Sequence, residues 1–361
     1  MNPDFRSRQM LEDHNLHTMH FYHPRAVDPS GGFYHFFLDD GTVYDASTRH
    51  LVSSTRFIFN YAMAYRHFGD DDYQAALRHG VAFLRDAHRD PATGGYAWQL
   101  SWQDGARTVE DGANHCYGLA FVLLAYAHAL QAGVPEARAY LDETFELMEQ
   151  RFWLPEHGLY ADVASVTDTL PAGLAGGMIW EHYKPDWSID WDYNLHDKSN
   201  IFRPWGYQPG HFTEWAKLLL IMERHARFMA GPSDWLLPRA RELFDTALAK
   251  AWDNTHGGIH YGFGPQDEIC DGDKYFWVQA ESFAACAVLA KRTGDEGYWQ
   301  TYDKIWDYSW KHFVDHDHGA WYRILTPDNQ KISNEKSPAG KTDYHTMGAC
   351  YEVLNVIGGA A

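Results

Sequence analysis

A short turn motif recurs along the 361 residues of this chain, and its repetition constrains the fold more than any other feature. Each copy has a glycine, usually after another glycine or a histidine, and aromatic residues follow closely, as in GGYAW and HGAWY. Several copies are preceded by turn formers such as DPSGG, DPATGG and DNTHGG, which predict that a helix ends there. The last glycine of each copy lies at position 32, 95, 158, 177, 258 or 319.

Two helical patterns lie between most copies of the motif. Successive copies are 63, 63, 19, 81 and 61 residues apart, so three of the intervals are nearly equal. A glycine, aspartate or proline separates the two patterns, as expected for a helical hairpin. The paired patterns span 49–68 with 70–88, 112–131 with 135–153, 211–229 with 234–252, and 276–292 with 295–313. A further helix near 5–22 opens the chain, and one at 342–357 closes it.

The two helices of a pair differ in polarity. The first is apolar on nearly all sides, as in GLAFVLLAYAHAL, whereas the second is amphipathic and charged, as in YLDETFELMEQRFW. A helix without a polar face must be buried all round, so the first helices form an inner ring that the second helices surround. The sequence therefore predicts an all-α fold of the (α/α)6 toroid type, built by residues 1–361 as a single domain, with the aromatic turns at one mouth.

The interval of 19 residues between Gly158 and Gly177 breaks the pattern, because it is too short for a helical hairpin. One interpretation is that a hairpin is missing, which leaves about ten main helices. The alternative is that the motif at 176–180 is coincidental and that 158–258 is one irregular unit. We favour the first, because GGMIW has the same form as the other copies. Segment 181–210 is then a long loop, and such loops are usually functional.

Composition excludes several classes of function. The formal net charge of −19 disfavours nucleic-acid binding. No apolar run reaches the roughly 18 residues of a membrane helix, and the N-terminus has no signal-like region, so a cytoplasmic location is expected. Neither the four cysteines nor the histidines fit a zinc motif, and phosphate-binding loops are absent, so no metal or other cofactor is expected. Helix flanks left by a missing hairpin are apolar, which can drive assembly into a homo-oligomer.

Polar residues near the starts of the inner helices are the candidates for a functional site. Several titratable groups directed into one cavity are costlier than a core requires. A buried Arg–Glu pair or a capping histidine also has a purely structural explanation. Aromatic rings at the mouth suit a sugar, because the CH faces of a pyranose stack on them. The candidates are Arg56, Asn114, His115, His211, Glu214, Trp277, Gln279, Glu281 and His345.

Four segments carry a resemblance to a known family: IWEHYKPDWSIDWDYN, RPWGYQPGHFTEWAKLLL, KYFWVQAES and DYHTMGACYEVL. With them the chain resembles the N-acylglucosamine 2-epimerase superfamily, especially its D-mannose isomerase branch, over essentially its whole length. The resemblance implies an (α/α)6 barrel that acts on unphosphorylated monosaccharides without metal or nucleotide. It also implies that His211 and His345 are the catalytic histidines. Arg56, Trp277, Glu281, Arg203 and Glu214 match the family's site positions, and His115 is a looser match.

The chain departs from this family at one place. Members usually carry an Asn-x-x-Met-His or similar motif on the third inner helix, and no such motif is present here. The place that it should occupy is the short stretch between Gly158 and Gly177. The repeat spacing and the absent motif therefore indicate the same change, the loss of one hairpin.

The resemblance and the candidate residues together predict an aldose–ketose isomerase. The expected reaction converts D-mannose to D-fructose, and D-lyxose to D-xylulose, through a cis-enediol. Histidine suits both proton transfers because its pKa lies near neutrality. We assign His211 to proton transfer between C1 and C2 and His345 to ring opening. Glu214 then orients His211, and Arg56 holds a sugar oxygen that gains charge.

Three other functions remain open at this level. A 2-epimerase uses the same deprotonation but returns the proton to the opposite face of C2. An inverting glycosidase needs two carboxylates roughly 6.5–9.5 Å apart, for which Glu214 and Glu281 are the nominees, but it leaves two histidines unexplained. A non-enzymatic sugar-binding protein results if the missing hairpin has abolished catalysis.

Overall fold

A computed structural model describes residues 3–155, 159–161, 178–184, 188–197, 200, 203–228 and 231–359. These residues form ten α-helices, the number that the repeat predicts. None of the described helices combines the length and the apolar character that crossing a membrane requires. The helices are α1 Arg8–Tyr22, α2 Leu51–Phe68, α3 Asp71–Phe83, α4 Cys116–Gln131, α5 Ala137–Phe152, α6 Pro209–Arg224, α7 Leu236–Ala251, α8 Phe276–Thr293, α9 Glu296–His312 and α10 Tyr344–Ile357. A π-helical turn, Leu84–His88, extends α3, and a 3-10 turn, Ala226–Phe228, follows α6.

Short antiparallel strands connect the helices, and the sequence analysis did not predict them. They form five small sheets with the orders β12-β1-β2, β3-β4-β5, β6-β7, β8-β9 and β10-β11. Strands β3 and β10 end directly where α2 and α8 begin, so the sheets orient the first turns of inner helices. The strands are β1 Phe36–Leu38, β2 Val43–Asp45, β3 Thr48–His50, β4 Gln99–Gln103, β5 Ala106–Asp111, β6 Trp153–Leu154, β7 Leu159–Tyr160, β8 Gly262–Phe263, β9 Ile269–Asp271, β10 Lys274–Tyr275, β11 Ile324–Leu325 and β12 Glu335–Ser337.

The helices alternate between a buried inner set and an amphipathic outer set, as predicted. Inner helix α2 is buried at every position from 51 to 64, so it has no polar face. Outer helix α9 buries Tyr298, Tyr302, Ile305 and Trp306, which lie on one face at helical spacing. Each outer helix packs against the inner helix of its hairpin, and α1 packs against α10.

Two of the hairpins, α2 with α3 and α8 with α9, share the same capping chemistry. Gly69 and Gly294 end α2 and α8 in the left-handed region, at φ of 71° and 72°, where a side chain is disfavoured. The next residue, Asp70 or Asp295, accepts a hydrogen bond from the backbone N–H two residues later and starts the outer helix. The Gly-Asp pair therefore both ends one helix and starts the next.

The aromatic turns also share one construction. Isolated bridges or short strands join the residues on either side of the turn at Val27–Phe33, Arg89–Tyr96, Trp252–Ile259 and Val314–Trp321, and β6 pairs with β7 in the same way. In the four bridged turns an aspartate accepts backbone N–H bonds, and in three of them it also pairs with a buried cation 21 residues later. These pairs are Asp28 with Arg49, Asp253 with Lys274, and Asp315 with Lys336.

The inner helices form an arc in which each contacts the next. Helix α6 packs on α8, α8 on α10, α10 on α2, and α2 on α4. Among the helices that the structure describes, α4 and α6 have no comparable interface, and each of them exposes an apolar side chain, Tyr117 on α4 and Leu218 on α6. The sequence between Gly158 and Gly177, where a hairpin is expected to be missing, lies almost entirely outside the described residues.

Candidate active site

The two histidines predicted to be catalytic lie on either side of one tryptophan. His211 is in the first turn of α6, and Trp277 and His345 are the second residues of α8 and α10. The Trp277 ring centroid is 5.1 Å from that of His211 and 5.7 Å from that of His345. Because three inner helices start at the same mouth, residues far apart in sequence come together here.

Gly210 allows α6 to approach Trp277 this closely. A Cβ atom at Gly210 lies only 2.6 Å from Cη2 of Trp277 and 2.8 Å from a methyl group of Val278. Val278 is fully buried and Trp277 is partly buried, so any side chain here displaces the tryptophan or the start of α6.

His345 is bonded to the buried carboxylate of Glu281. The distance from His345 Nδ1 to Glu281 Oε1 is 2.7 Å, and the ammonium of Lys217 contacts Oε2 of the same carboxylate. Burial raises the pKa of Glu281, but Lys217 and His345 outweigh it and hold that pKa well below its usual range. Burial and the nearby Arg56 guanidinium lower the pKa of His345 despite its bond to Glu281. His345 is therefore neutral at neutral pH.

His211 has its own carboxylate partner, Glu181, which the sequence analysis missed. The distance from His211 Nδ1 to Glu181 Oε1 is 2.5 Å. Burial lowers the pKa of His211, but the charge and hydrogen bond of Glu181, with help from Glu214 and Glu281, raise it to about 9. The pKa values of the two histidines therefore shift in opposite directions, because burial and Arg56 prevail at His345 whereas the carboxylates prevail over burial at His211.

Glu214 faces the second histidine rather than forming a bond to the first. Oxygen or nitrogen atoms of Glu214, Glu281 and His345 all lie within 4.8 Å of one another. Such a cluster has the donor chemistry for a cation. Lys217 already supplies a positive charge there. Burial lowers the pKa of Lys217, but the charges of Glu281 and Glu214 outweigh burial and raise it.

Arg56 is buried at the centre of the mouth and held on several sides. Its guanidinium donates to the carbonyl of Gly340 and lies 3.4 Å from the hydroxyl of Tyr117. It also stacks over the rings of Phe121 and Tyr344, at 4.7 and 4.9 Å from their centroids. Its Nε atom has no hydrogen-bond partner within the described residues. A fixed, always charged group at this place suits an anionic oxygen of a ligand.

A strained segment leads into the helix that carries His345. Thr342 and Asp343 have φ values of 46° and 50°, in the left-handed region, which costs free energy for a β-branched residue. Asn60 donates to the carbonyl of Thr342 at 2.7 Å, and Tyr22 donates to Asp343 at 2.7 Å. These bonds from α2 and α1 hold the strained turn and so set the position of His345.

The other predicted residues lie in different surroundings. His115 is the N-cap residue of α4, and its ring is 4.5 Å from that of Trp98. Arg203 is exposed in the loop before α6, where its guanidinium lies 3.5 Å from the hydroxyl of Tyr193. The amide of Gln279 is bonded to the backbone N–H and carbonyl of Ile259 at 3.0 and 2.9 Å. These two bonds fix a turn to α8, and the substrate contact of Gln279 stays a prediction.

Comparison with known proteins agrees with this architecture. The family model described as N-acylglucosamine 2-epimerase (GlcNAc 2-epimerase) matches residues 31–174 and 165–349. The chain belongs to the N-acylglucosamine 2-epimerase family. Both histidines and Trp277 lie within the matched residues.

The most informative relatives in this epimerase family are sugar isomerases. A D-mannose isomerase from Marinomonas mediterranea is 48% identical and covers 98% of this chain and 99% of its own. A D-mannose isomerase from Thermobifida fusca is 34% identical, and the alignment covers 70% of this chain and 72% of that protein. A cellobiose 2-epimerase from Ruminococcus albus is 24% identical, and the alignment covers 96% of this chain and 97% of that protein. The first alignment runs over 399 positions, 38 more than the 361 residues of this chain, so at least that many positions lack a residue here.

Solved structures of the epimerase family have the same fold. A crystal structure of D-mannose isomerase, 48% identical, superposes with a TM-score of 0.92 and covers 98% of this chain and 100% of its own. Cellobiose 2-epimerase from Spirochaeta thermophila, 21% identical, superposes with a TM-score of 0.78 and covers 98% of both chains. The helices are therefore those of the (α/α)6 barrel, as predicted from the repeat.

Proposed function

We propose that this protein is an aldose–ketose isomerase that interconverts D-mannose and D-fructose, and also D-lyxose and D-xylulose. The observation that carries the proposal is the pair of histidines across Trp277, one charged and one neutral, each bonded through Nδ1 to its own carboxylate. Such a pair supplies one acid and one base to neighbouring atoms of a sugar. The 48% identity to a D-mannose isomerase supports the choice of substrate.

The geometry supports a cis-enediol mechanism. Nε2 of neutral His345 removes the proton from C2 of the open-chain aldose, and the electron pair of that bond forms the C1=C2 double bond. The carbonyl oxygen O1 takes a proton from charged His211, which gives the enediol. His211 then accepts the O2 proton as the C2 carbonyl forms, and His345 returns its proton to C1. Both histidines end in their starting states.

This division of labour is the reverse of the one expected from the sequence. The sequence analysis assigned C1–C2 proton transfer to His211 and ring opening to His345. A base must be unprotonated to act, and the pKa of His345 is lowered, whereas that of His211 is raised to about 9. Electrostatics therefore favour His345 as the base at carbon and His211 as the acid at oxygen, both for ring opening and for enediol formation.

The remaining site residues are proposed to bind the sugar. Arg56 holds an oxygen that gains charge in the transition state, which is worth more in a buried site than in water. Trp277 offers its face to the sugar between the two histidines. Glu214 accepts a hydroxyl hydrogen beside His345, and His115 and Arg203 contact the sugar from the mouth.

The 2-epimerase reaction is the second candidate, because cellobiose 2-epimerases align over nearly the whole chain. The inverting glycosidase fits the site less well. Oxygen atoms of Glu214 and Glu281 lie within 4.8 Å of each other, closer than the roughly 6.5–9.5 Å that an inverting pair needs. Glu281 is also bonded to both Lys217 and His345.

NMR analysis of products formed from D-mannose in D2O tests the proposal. Fructose as the product supports the isomerase whether C1 carries deuterium or the transferred hydrogen, glucose as the product identifies an epimerase, and the absence of any product identifies a binding protein. His211→Asn and His345→Asn are each expected to lower kcat/KM by at least about 10²-fold. Retention of most of the turnover by either variant contradicts the assignment.

We also propose the wider features of the protein. Residues 1–361 act as one domain, since α10 near the end packs against both α1 and α2. The exposed apolar flanks of α4 and α6 favour a homo-oligomer, which light scattering after gel filtration measures. All four cysteines are free, which fits the reducing cytoplasm. Catalysis is proposed to proceed without a metal, since Lys217 supplies the positive charge beside Glu281.

A further inference from the structure

Lys217 is a buried cation that the fold does not require. It lies on α6, its side chain is 12% exposed, and its ammonium contacts Glu281 on α8. Burying a lysine and a glutamate together costs desolvation free energy, and an apolar pair of similar volume is often as stable or more stable. The presence of this pair at the start of the inner helices therefore indicates a role in the chemistry.

Glu281 connects Lys217 to His345. One carboxylate oxygen contacts the ammonium, and the other lies 2.7 Å from His345 Nδ1. An ionised carboxylate only accepts hydrogen bonds, so His345 must carry its hydrogen on Nδ1 and donate it. Nε2 is then left with its lone pair, which is the form that a base needs.

We propose that Lys217 is a positioning residue for the isomerase proposed above: it holds Glu281 as a carboxylate in the orientation that fixes His345 with Nε2 free to remove the C2 proton. Lys217 does not touch the sugar in this scheme. It acts through Glu281, as the outer partners of a histidine–carboxylate pair do in other sites.

The charges around His345 show why the lysine matters. Glu281 on α8 and Glu214 on α6 are negative, whereas Arg56 on α2 and Lys217 on α6 are positive. On the remaining sides, Tyr344 precedes His345 on α10, and Tyr22 on α1 is bonded to Asp343. The charges of these four groups cancel, and the neighbouring charged groups are paired with each other, Asp343 with Lys341 and His211 with Glu181. Removal of Lys217 leaves a negative excess that favours protonation of His345 and disables the base at neutral pH.

The test is the pH dependence of kcat/KM for D-mannose in the wild type, Lys217→Gln and Lys217→Arg. Gln keeps a hydrogen-bond donor but removes the charge, and Arg keeps the charge. Lys217→Gln is expected to shift the acidic limb upward by about one pH unit, so that kcat/KM on that limb falls about tenfold. Lys217→Arg is expected to keep the wild-type limb.

Arg224→Gln is the matched control. Arg224 lies two turns further along α6 and pairs with Glu352 on α10, away from the mouth. The substitution Arg224→Gln removes a partly buried ion pair from the same helix and leaves the site unchanged. An unshifted acidic limb in Lys217→Gln, or an equal shift in Arg224→Gln, overturns the proposal.

A second measurement separates this inference from the proposed function. The imidazole nitrogens of His345 are followed by NMR of protein labelled with ¹⁵N-histidine, with the signals assigned from His345→Asn. Wild-type protein is expected to show the Nδ1–H form, and Lys217→Gln to protonate at higher pH. A wild type without isomerase turnover that still shows this difference refutes the proposed function alone. Equal titration of His345 in both proteins refutes the role of Lys217.

Discussion

Glu181→Gln isolates the charge that keeps His211 protonated. Glu181 is the hydrogen-bonded partner of His211 Nδ1, at 2.5 Å, and glutamine keeps the size of the side chain while removing its charge. The pair is partly exposed, with 39% of the His211 side chain and 24% of that of Glu181 accessible, so the substitution does not leave a deeply buried hole.

The pKa of His211 sets the size of the expected effect. Glu181 is the largest of the influences that raise this pKa to about 9, and burial opposes them. Without its charge we expect the pKa to fall to about 6.5, the ordinary value. The charged fraction of His211 then drops about thirtyfold at pH 8 but less than about twofold at pH 6. The variant should therefore be nearly normal at pH 6 and strongly impaired at pH 8.

The assay is the initial rate of fructose formation from D-mannose, quantified by chromatography so that detection does not depend on pH. The wild type should show a plateau in kcat/KM that declines near pH 9, and Glu181→Gln a decline that begins about two units lower. Glu223→Gln, on the same helix but paired with Arg292, should match the wild type. An equal loss at pH 6 and pH 8 refutes the argument, because it means that Glu181 acts through structure and not through charge.

Three further predictions concern packing, metal and stability. Gly210→Ala should lower kcat/KM about tenfold or more by displacing Trp277, whereas Gly231→Ala, with no atom within 4 Å of the new Cβ, should be neutral in the same assay. Dialysis against EDTA should leave turnover unchanged, and a loss that Mg²⁺, Mn²⁺ or Zn²⁺ restores would contradict the role of Lys217 as the local cation. Lys336→Met should lower the free energy of unfolding by about 3–5 kcal/mol at neutral pH, because the buried carboxylate of Asp315 loses its partner. Burial raises the pKa of Asp315, but Lys336 and backbone N–H bonds outweigh burial, so the pKa lies below its ordinary value. The stability that the ion pair contributes is therefore present above about pH 4 and should disappear in denaturant titrations at lower pH.

The repeat predicts the helices because each boundary has a local cause. The helix predicted at 276–292 is observed at Phe276–Thr293, because Gly294 ends α8 and Asp295 caps the next helix. Most of the strands were missed because pieces of two or three residues are too short to show the alternation that identifies a strand. Strand β5 has six residues, but all of them are exposed, so it shows no alternation either. The pairing of turn aspartates with cations 21 residues later is a sequence signal for three of the turns.

The site was only partly predictable, for a different reason. His211, Trp277 and His345 lie in the first turns of inner helices, so polar or aromatic side chains stand out there from the apolar residues that follow. Lys217 resembles an ordinary surface lysine of an amphipathic helix, and only the tertiary contact with Glu281 shows its role. Glu181 lies in irregular chain that has no periodicity to predict which way it faces.

The order of the inner helices explains how a chain that lacks a residue at 38 or more aligned positions can keep the proposed catalytic arrangement. The residues proposed for catalysis come from α6, α8 and α10, with Arg56 from α2, and these four helices pack in unbroken succession. Among the described helices, the comparable interface that is lacking is the one between α4 and α6, and of the two histidines only His211 belongs to one of these helices. Its partner Glu181 belongs to the irregular chain before α6. The proposed acid is therefore held by a loop residue, whereas the proposed base is held by Glu281 and Lys217 from two helices that pack directly on each other.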